Sequence, residues 1–242
     1  MRWFGATGDA VARTLSLPQV TAFEVVGSTM DEAHRLAADG APAGTLVVAE
    51  QQDAGRGRSG KRWSSEPRAG IWGTLIERPR DAGAIEVLSL RVGLRLARVL
   101  ERWTEAPIAL KWPNDLYVND RKLAGVLIEA RWREQRVDWV AIGVGVNLRV
   151  PQDQTEATAL RNADAPTVLA EMLPALRAAA FASGPLSEAE HAEFMRRDFA
   201  AGRAVLEPRK GIVRGITADG ALLIESNEGI TPVRAGSLIF SP

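Results

Sequence analysis

Between residues 50 and 63 the chain reads Glu-Gln-Gln-Asp-Ala-Gly-Arg-Gly-Arg-Ser-Gly-Lys-Arg-Trp, and no other stretch limits its choice of fold so much. Gly55, Gly57 and Gly60 let backbone approach a ligand closely. Arg56, Arg58, Lys61 and Arg62 suit an anion, with phosphate the foremost candidate. The glycines spell G-x-G-x-x-G, and Gly55, Gly60 and Lys61 spell most of G-x-x-x-x-G-K. Both phosphate motifs require a helix to begin at the glycines. Here Trp63-Ser64-Ser65-Glu66-Pro67-Arg68-Ala69-Gly70 follows, which stops a long helix, and Arg62 stands where a P-loop needs Ser or Thr. The dinucleotide-binding and P-loop folds are therefore excluded. A stretch so basic and glycine-rich buries little of itself, so it is expected to be loosely held until an anion fills it.

At 242 residues there is room for one large domain and a small one. The 30 basic and 30 acidic side chains cancel, so no overall field draws the protein to nucleic acid or an anionic membrane. The absence of cysteine excludes disulfides, thiolate metal sites and thiol nucleophiles, and is compatible with the cytoplasm. No apolar run reaches membrane-spanning length, and the N-terminus lacks a signal-peptide core. A cytoplasmic protein with no membrane partner is expected.

Along the chain, Thr21 to Val26 reads as a strand, and Ser28-Thr29 opens a helix in which Thr29 and Glu32 have capping-box spacing. Leu46 to Ala49 is a buried strand that delivers the basic loop, and Gly70 to Glu77 is another. From Ala84 to Trp103 the pattern is a long amphipathic helix whose Arg91, Arg95, Arg98 and Arg102 read as a solvated stripe. A strand over 108–112 is broken by Pro113-Asn114-Asp115. A hairpin through Asn119-Asp120 follows, and then an antiparallel pair, 126–132 with 137–146. Gly143 and Gly145 in the last strand signal a bulge or a ligand pressed on backbone. Helices are predicted from Thr167 to Phe181 and from Glu188 to Phe199, the second with a Ser187/Glu190 capping box. From Arg203 onward, short β runs read as a separate small barrel.

Taken in order, Ser28-Thr29, Gly55-Arg-Gly-Arg-Ser-Gly60 with Trp63, Lys111-Trp-Pro-Asn-Asp115, Arg121-Lys-Leu-Ala-Gly125 and Ile142-Gly-Val-Gly-Val-Asn147 closely resemble the biotin–protein ligases. The resemblance runs from about Thr21 to Asn147, and more loosely through the terminal barrel. It implies an α+β fold, a mixed β-sheet flanked by helices (the class II synthetase-like biotin/lipoate ligase catalytic domain) over residues 1–200, with an SH3-like β-barrel over 201–242. It also implies ATP and biotin as substrates, Mg2+, and a biotin carboxyl carrier protein as partner. Biotin's carboxylate would attack the α-phosphate to give biotinyl-5′-AMP, and a carrier lysine would then take the biotin.

By that resemblance Lys122 bridges the biotin carboxylate and the α-phosphate, with Arg56 and Arg58 as further catalytic cations. Ser28, Thr29, Gln52, Arg56, Lys122 and Gly125 match biotin-binding positions. Arg58, Trp63, Asn114, Lys122 and Asn147 match nucleotide contacts. Gly125, Gly143 and Gly145 would admit the ligand beside backbone, and Asp115 is the candidate metal ligand, with turn structure as its other reading. His34 and His191 sit in helical patterns and read as structural. The opening Ser-Thr-Met departs from the family's common Ser-Thr-Asn, so Met30 brings no amide to the biotin end. About twenty residues precede the first strand, too few for a helix-turn-helix, so no DNA partner is expected. The sequence leaves monomer against homodimer open. A lipoate–protein ligase is the nearest alternative, and a nucleic-acid-binding module built on the basic loop is a more distant one.

Overall fold

The computed structural model describes residues 2–152 and 154–241. The elements in chain order are β1 (Arg2–Trp3), β2 (Ala6–Thr7), α1 (Gly8–Leu15), β3 (Val20–Val26), α2 (Thr29–Ala38), β4 (Thr45–Gln52), β5 (Gly70–Glu77) and α3 (Leu88–Leu100). Then come β6 (Ala109–Lys111), β7 (Asp115–Val118), β8 (Arg121–Arg133), β9 (Arg136–Asn147), α4 (Ala165–Ala180) and α5 (Glu188–Arg197). The chain ends with β10 (Ala204–Glu207), β11 (Gly211–Ile216), β12 (Leu222–Ser226), β13 (Gly229–Val233) and β14 (Ile239–Phe240).

Seven strands form a mixed sheet in the order β3-β4-β5-β9-β8-β7-β6, parallel only between β3 and β4. Side chains alternate across each strand, and the two faces are used differently. Leu46, Val48, Leu75, Val126, Val140, Ile142 and Val144 face α3 and α4 in the main core. Val47, Ile76 and Trp139 face α2 through Ala33 and Ala37, in a much smaller cluster. On this second face the register sets Thr74 beside Gly143 and pairs Gly145 with both Trp72 and Gly125. A run of missing side chains on a half-covered face leaves a trough.

The expected hairpin and antiparallel pair are one structure: β8 runs unbroken from Arg121 to Arg133, entered by a turn whose Asn119 and Asp120 both have positive φ. That turn chemistry suits a tight two-residue hairpin loop. No bulge falls at Gly143 or Gly145; the register shift in this pair lies at Arg131/Trp132.

The stripe on α3 is solvated at Arg98 and Arg102 but not at Arg91, and it is paired with carboxylates. Arg91 is 1% exposed and donates to Glu190 and to the Gly184 and Pro185 carbonyls, while Arg98 pairs with Glu193 and Arg102 with Glu171. The stripe faces the carboxylates of α4 and α5, which no reading of one helix can see. α5 does begin with the Ser187/Glu190 capping box.

The last five strands form an antiparallel sheet of the SH3-like kind, ordered β13-β12-β11-β10-β14. It does not stand apart. Trp112 Nε1 donates to the Gly220 carbonyl at 3.0 Å, and Phe199 and Phe240 stack across the junction with centroids 5.7 Å apart. Among the described residues no helix is long and apolar enough to cross a membrane.

Candidate active site

The trough is a cavity of about 200 Å3 between α2, the basic loop, the glycine face of β8 and β9, and the segment before β14. One end is neutral and hydrogen-bonded. Thr29 opens α2, but its side chain caps nothing: its N–H and Oγ1 donate to Gln52 Oε1 at 2.8 and 3.0 Å. Thr29 Oγ1 also lies 2.9 Å from Thr74 Oγ1, and Gln52 Nε2 donates to Ser65 Oγ at 2.9 Å. The backbone donor fixes which way the Gln52 amide points. The capping box expected from Thr29 and Glu32 is absent because α2 starts at Thr29 with Ser28 as its N-cap, which leaves the Thr29 hydroxyl to Gln52 and Thr74, and Glu32 pairs with Arg35. Beside this chain Ser28 Oγ is buried without a partner among the described residues. Such an orphan is unfavourable unless a ligand answers it.

The glycines have tenants. A Cβ on Gly145 would lie 2.5 Å from the Trp63 indole, and one on Gly125 would lie 2.8 Å from it. Trp63 thus leaves the loop and lies on the Gly125–Gly145 pair. Met30 Cε sits 2.7 Å from the Cβ position of Gly143. In this structure the chain's own Trp63 and Met30 lie against the glycine backbone.

The other end is cationic. Lys122 Nζ is 2.8 Å from Asp115 Oδ2 and 4.9 Å from the Trp63 ring centroid. Arg58 reaches the Gly236 carbonyl at 3.5 Å, and burial pulls its guanidinium below its usual value, with Asp115 partly offsetting this. Lys61, Arg62 and Lys111 also line the cavity. Burial, together with Lys122, Arg203 and Lys61, pulls the Lys111 ammonium down, and Asp115 opposes this. Burial, with Asp115 and Glu156 nearby, pushes the Tyr117 phenol up to about 12, so its ring stays neutral.

The loop is better held than its composition suggests. Gly57 N donates to the Lys61 carbonyl at 2.7 Å, Trp63 N donates to that of Gly55 at 2.9 Å, and Arg62 donates to the Asp53 carbonyl. Arg56 turns away to carboxylates, Asp31 at 2.5 Å and Glu129 at 2.6 Å. Glu129 also holds His34, whose other ring nitrogen accepts from Trp139 Nε1, so His34 does sit in a structural network. His191 lies 2.7 Å from the Ile216 carbonyl.

Ser28, Thr29, Gln52, Arg56, Arg58, Trp63, Asn114, Asp115, Lys122 and Gly125 all line the one cavity. Asn114 spends its amide on the Val126 carbonyl at 2.7 Å, which closes the turn. Asn147 is not among the lining residues; it donates to the carbonyls of Thr158 at 3.0 Å and Lys122 at 3.4 Å, which anchors the backbone of Lys122. Lys111, Thr74, Ser237 and Leu238 line the cavity too, and the sequence reading assigned none of them. Lys111 had a signal, since it opens the Lys-Trp-Pro-Asn-Asp run, whereas Ser237 and Leu238 had none.

Among the described residues no three His, Cys, Asp or Glu side chains cluster as a metal cage. The cavity does offer Asp115 Oδ1, buried and without a partner among the described residues. That fits a magnesium ion, which binds through one or two carboxylates together with a substrate's phosphates.

The chain is similar to known proteins over most of its length. The Biotin/lipoate A/B protein ligase family matches residues 22–147, and the biotin protein ligase C terminal domain matches 207–241. The bifunctional ligase/repressor BirA of Bacillus subtilis is 30% identical over 89% of this chain and 72% of its own length. That of Bacillus spizizenii is 40% identical over 54% of this chain and 40% of its own length. The chain therefore spans between 40% and 72% of the length of these relatives. A biotin protein ligase from Aquifex aeolicus, solved in complex with biotin and ATP, superposes with a TM-score of 0.76 at 28% identity, covering 92% of this chain and 99% of that one. By its sequence match over residues 22–147 and by its fold, this chain belongs to the biotin/lipoate A/B protein ligase family.

Proposed function

We propose that the protein is an ATP-dependent biotin–protein ligase of the cytoplasm, with residues 1–200 as its catalytic domain and 201–242 as the second. It activates biotin as biotinyl-5′-AMP and passes the biotin to a lysine of a biotin carboxyl carrier protein. One observation carries this reading. The cavity runs along β8 and β9 from a neutral end at Thr29, Thr74 and Gly143 to a cationic end at Asp115 and Lys122, with Trp63 between them. A neutral, hydrogen-bonding head group with an acidic tail fits that polarity, and a nucleotide fits the cationic end.

In the first step a biotin carboxylate oxygen attacks the α-phosphorus, and the bond to pyrophosphate breaks. Both reactants are anions, so holding them together is the main obstacle. Lys122 neutralises the carboxylate and the α-phosphate, and Asp115 and the Trp63 face keep its ammonium in place. Arg58 and Lys111 take phosphate oxygens. Arg56 secures the loop's first turn through Asp31 and Glu129 until an anion competes for it. Ser28 Oγ and the Thr74–Thr29–Gln52–Ser65 chain meet the biotin head group, and the Trp63 indole meets adenine. Asp115 would hold a magnesium ion arriving on the phosphates, which draws charge from the leaving pyrophosphate. In the second step the carrier amine attacks the acyl carbon, loses a proton, and AMP departs.

The experiment is to incubate the protein with ATP, a biotin carrier domain, and either biotin or lipoate, and then weigh the carrier. Gain of one biotinyl group supports the proposal. Gain of a lipoyl group alone would reassign the acid, and no gain with either acid would reject the reading.

A further inference from the structure

Lys111 is an unusual lysine. It ends β6 and lines the cavity, and among the described residues its ammonium makes no hydrogen bond and has no carboxylate within ion-pair distance. Two aromatic faces hold it instead. Its Nζ lies 5.5 Å from the Tyr117 ring centroid and 5.0 Å from that of Phe240, both inside cation–π range. Tyr117 belongs to the catalytic sheet, on β7, and Phe240 to the closing strand of the second sheet. Phe199, at the junction, packs against both: its centroid is 4.5 Å from Tyr117 in a tilted pair and 5.7 Å from Phe240 in an edge-on one. Arg203 lies 4.6 Å over Phe199 and 3.9 Å over Phe240. Ser237 and Leu238, just before β14, line the same cavity.

A lysine normally seeks water or a carboxylate. One that is half-buried among rings, at the rim of a cationic cavity, keeps its charge available for an incoming anion.

We infer that Phe240, together with Tyr117, is a positioning residue: the pair brackets the Lys111 ammonium toward the nucleotide's phosphates, so the docking of the second sheet sets how tightly the nucleotide is held. The inference rests on reading the cavity as an adenylation site. It makes the second sheet part of nucleotide binding through the Phe240 ring, alongside the Gly236 carbonyl that Arg58 reaches.

The test is calorimetric binding of β,γ-imido-ATP to the full chain, alongside KM for ATP and for biotin in pyrophosphate release. Phe240→Leu keeps apolar bulk without the ring, and should weaken the nucleotide about three- to tenfold while leaving the biotin KM unchanged. Phe240→Tyr restores a ring and should recover most of that loss. 3,4,5-Trifluorophenylalanine at position 240 keeps the shape while draining the ring's negative face. It should weaken the nucleotide as the leucine does, and it decides the question if Phe240→Leu does not fold. In a Lys111→Gln background, Phe240→Leu should cost nothing more.

A trifluoro variant that binds like the parent overturns the inference, and so does a full Phe240→Leu loss on top of Lys111→Gln. If the parent protein binds the nucleotide but turns over an acid other than biotin, the substrate reading fails and the bracket stands. If it binds no nucleotide, both fail.

Discussion

The two ends of the cavity recognise by opposite means. The inner end is built on rigid elements, the start of α2 and the strands β4 and β5. It works through neutral hydrogen bonds whose partners are already in place. The outer end gathers Lys122, Lys111, Arg58, Lys61 and Arg62 from two strands and a loop, around one carboxylate. Preformed neutral contacts discriminate by shape, because any group that fails to answer a buried donor or acceptor leaves it unpaired. Clustered cations discriminate poorly but stabilise strongly where negative charge accumulates. The difference suits an enzyme that must choose its acid accurately and handle a triphosphate that carries its own identity in the adenine.

Lys122, at the cationic end, is proposed to neutralise both the biotin carboxylate and the α-phosphate, so its loss should have the largest effect. Lys122→Met is expected to slow adenylate formation about a hundred- to thousandfold in pyrophosphate-release assays. Arg133→Met, at a side chain 81% exposed, should leave the rate nearly unchanged. Parity of the two variants would remove Lys122 from the chemistry.

The glycines separate the ends. Gly145→Ala sets a methyl 2.5 Å from the Trp63 ring, which cannot yield without leaving its seat. Its KM for ATP should rise about tenfold, the equivalent of about 1.4 kcal/mol. Gly143→Ala meets the flexible end of Met30, at 2.7 Å, and should raise only the biotin KM, about threefold. Interchanged effects would reverse the assignment of the two ends.

At the inner end Thr29→Val keeps the side-chain shape and removes the hydroxyl that joins Thr74 to Gln52. A buried hydrogen bond contributes about 1 kcal/mol, so the biotin KM should rise roughly fivefold while that for ATP holds.

The smallest expected effect is on pH dependence. Burial lowers the Lys111 pKa, and only its charged form attracts phosphate. Nucleotide affinity should therefore be full below that lowered pKa and fall as pH rises through it, earlier than an ordinary lysine would allow. Biotin affinity should not follow, and Lys111→Arg, which stays charged, should abolish the early fall. Calorimetric titration across the alkaline range would show whether the two ends respond separately.

Much of this protein is written in short-range pattern. Alternation marked the strands, Asn119-Asp120 marked the hairpin, and Ser187 with Glu190 marked the start of α5, because each depends on residues within a few positions of one another. The order of motifs from Ser28 to Asn147 was enough to collect ten of the eleven assigned site residues around one cavity, the exception being Asn147.

What the tertiary structure alone decided is who meets whom. Arg91 found Glu190 on α5 rather than water, and Thr29 found Thr74, 45 residues away, rather than its own helix. Trp63 found the Gly125–Gly145 pair, which exists only because β8 and β9 align those two positions. Lys111 found Phe240 on the closing strand of a second sheet. Local pattern sets which face of an element is apolar or charged. Strand register and helix docking set what that face touches, and in this cavity such distant contacts hold Thr29, Gln52, Trp63 and Lys111 in place.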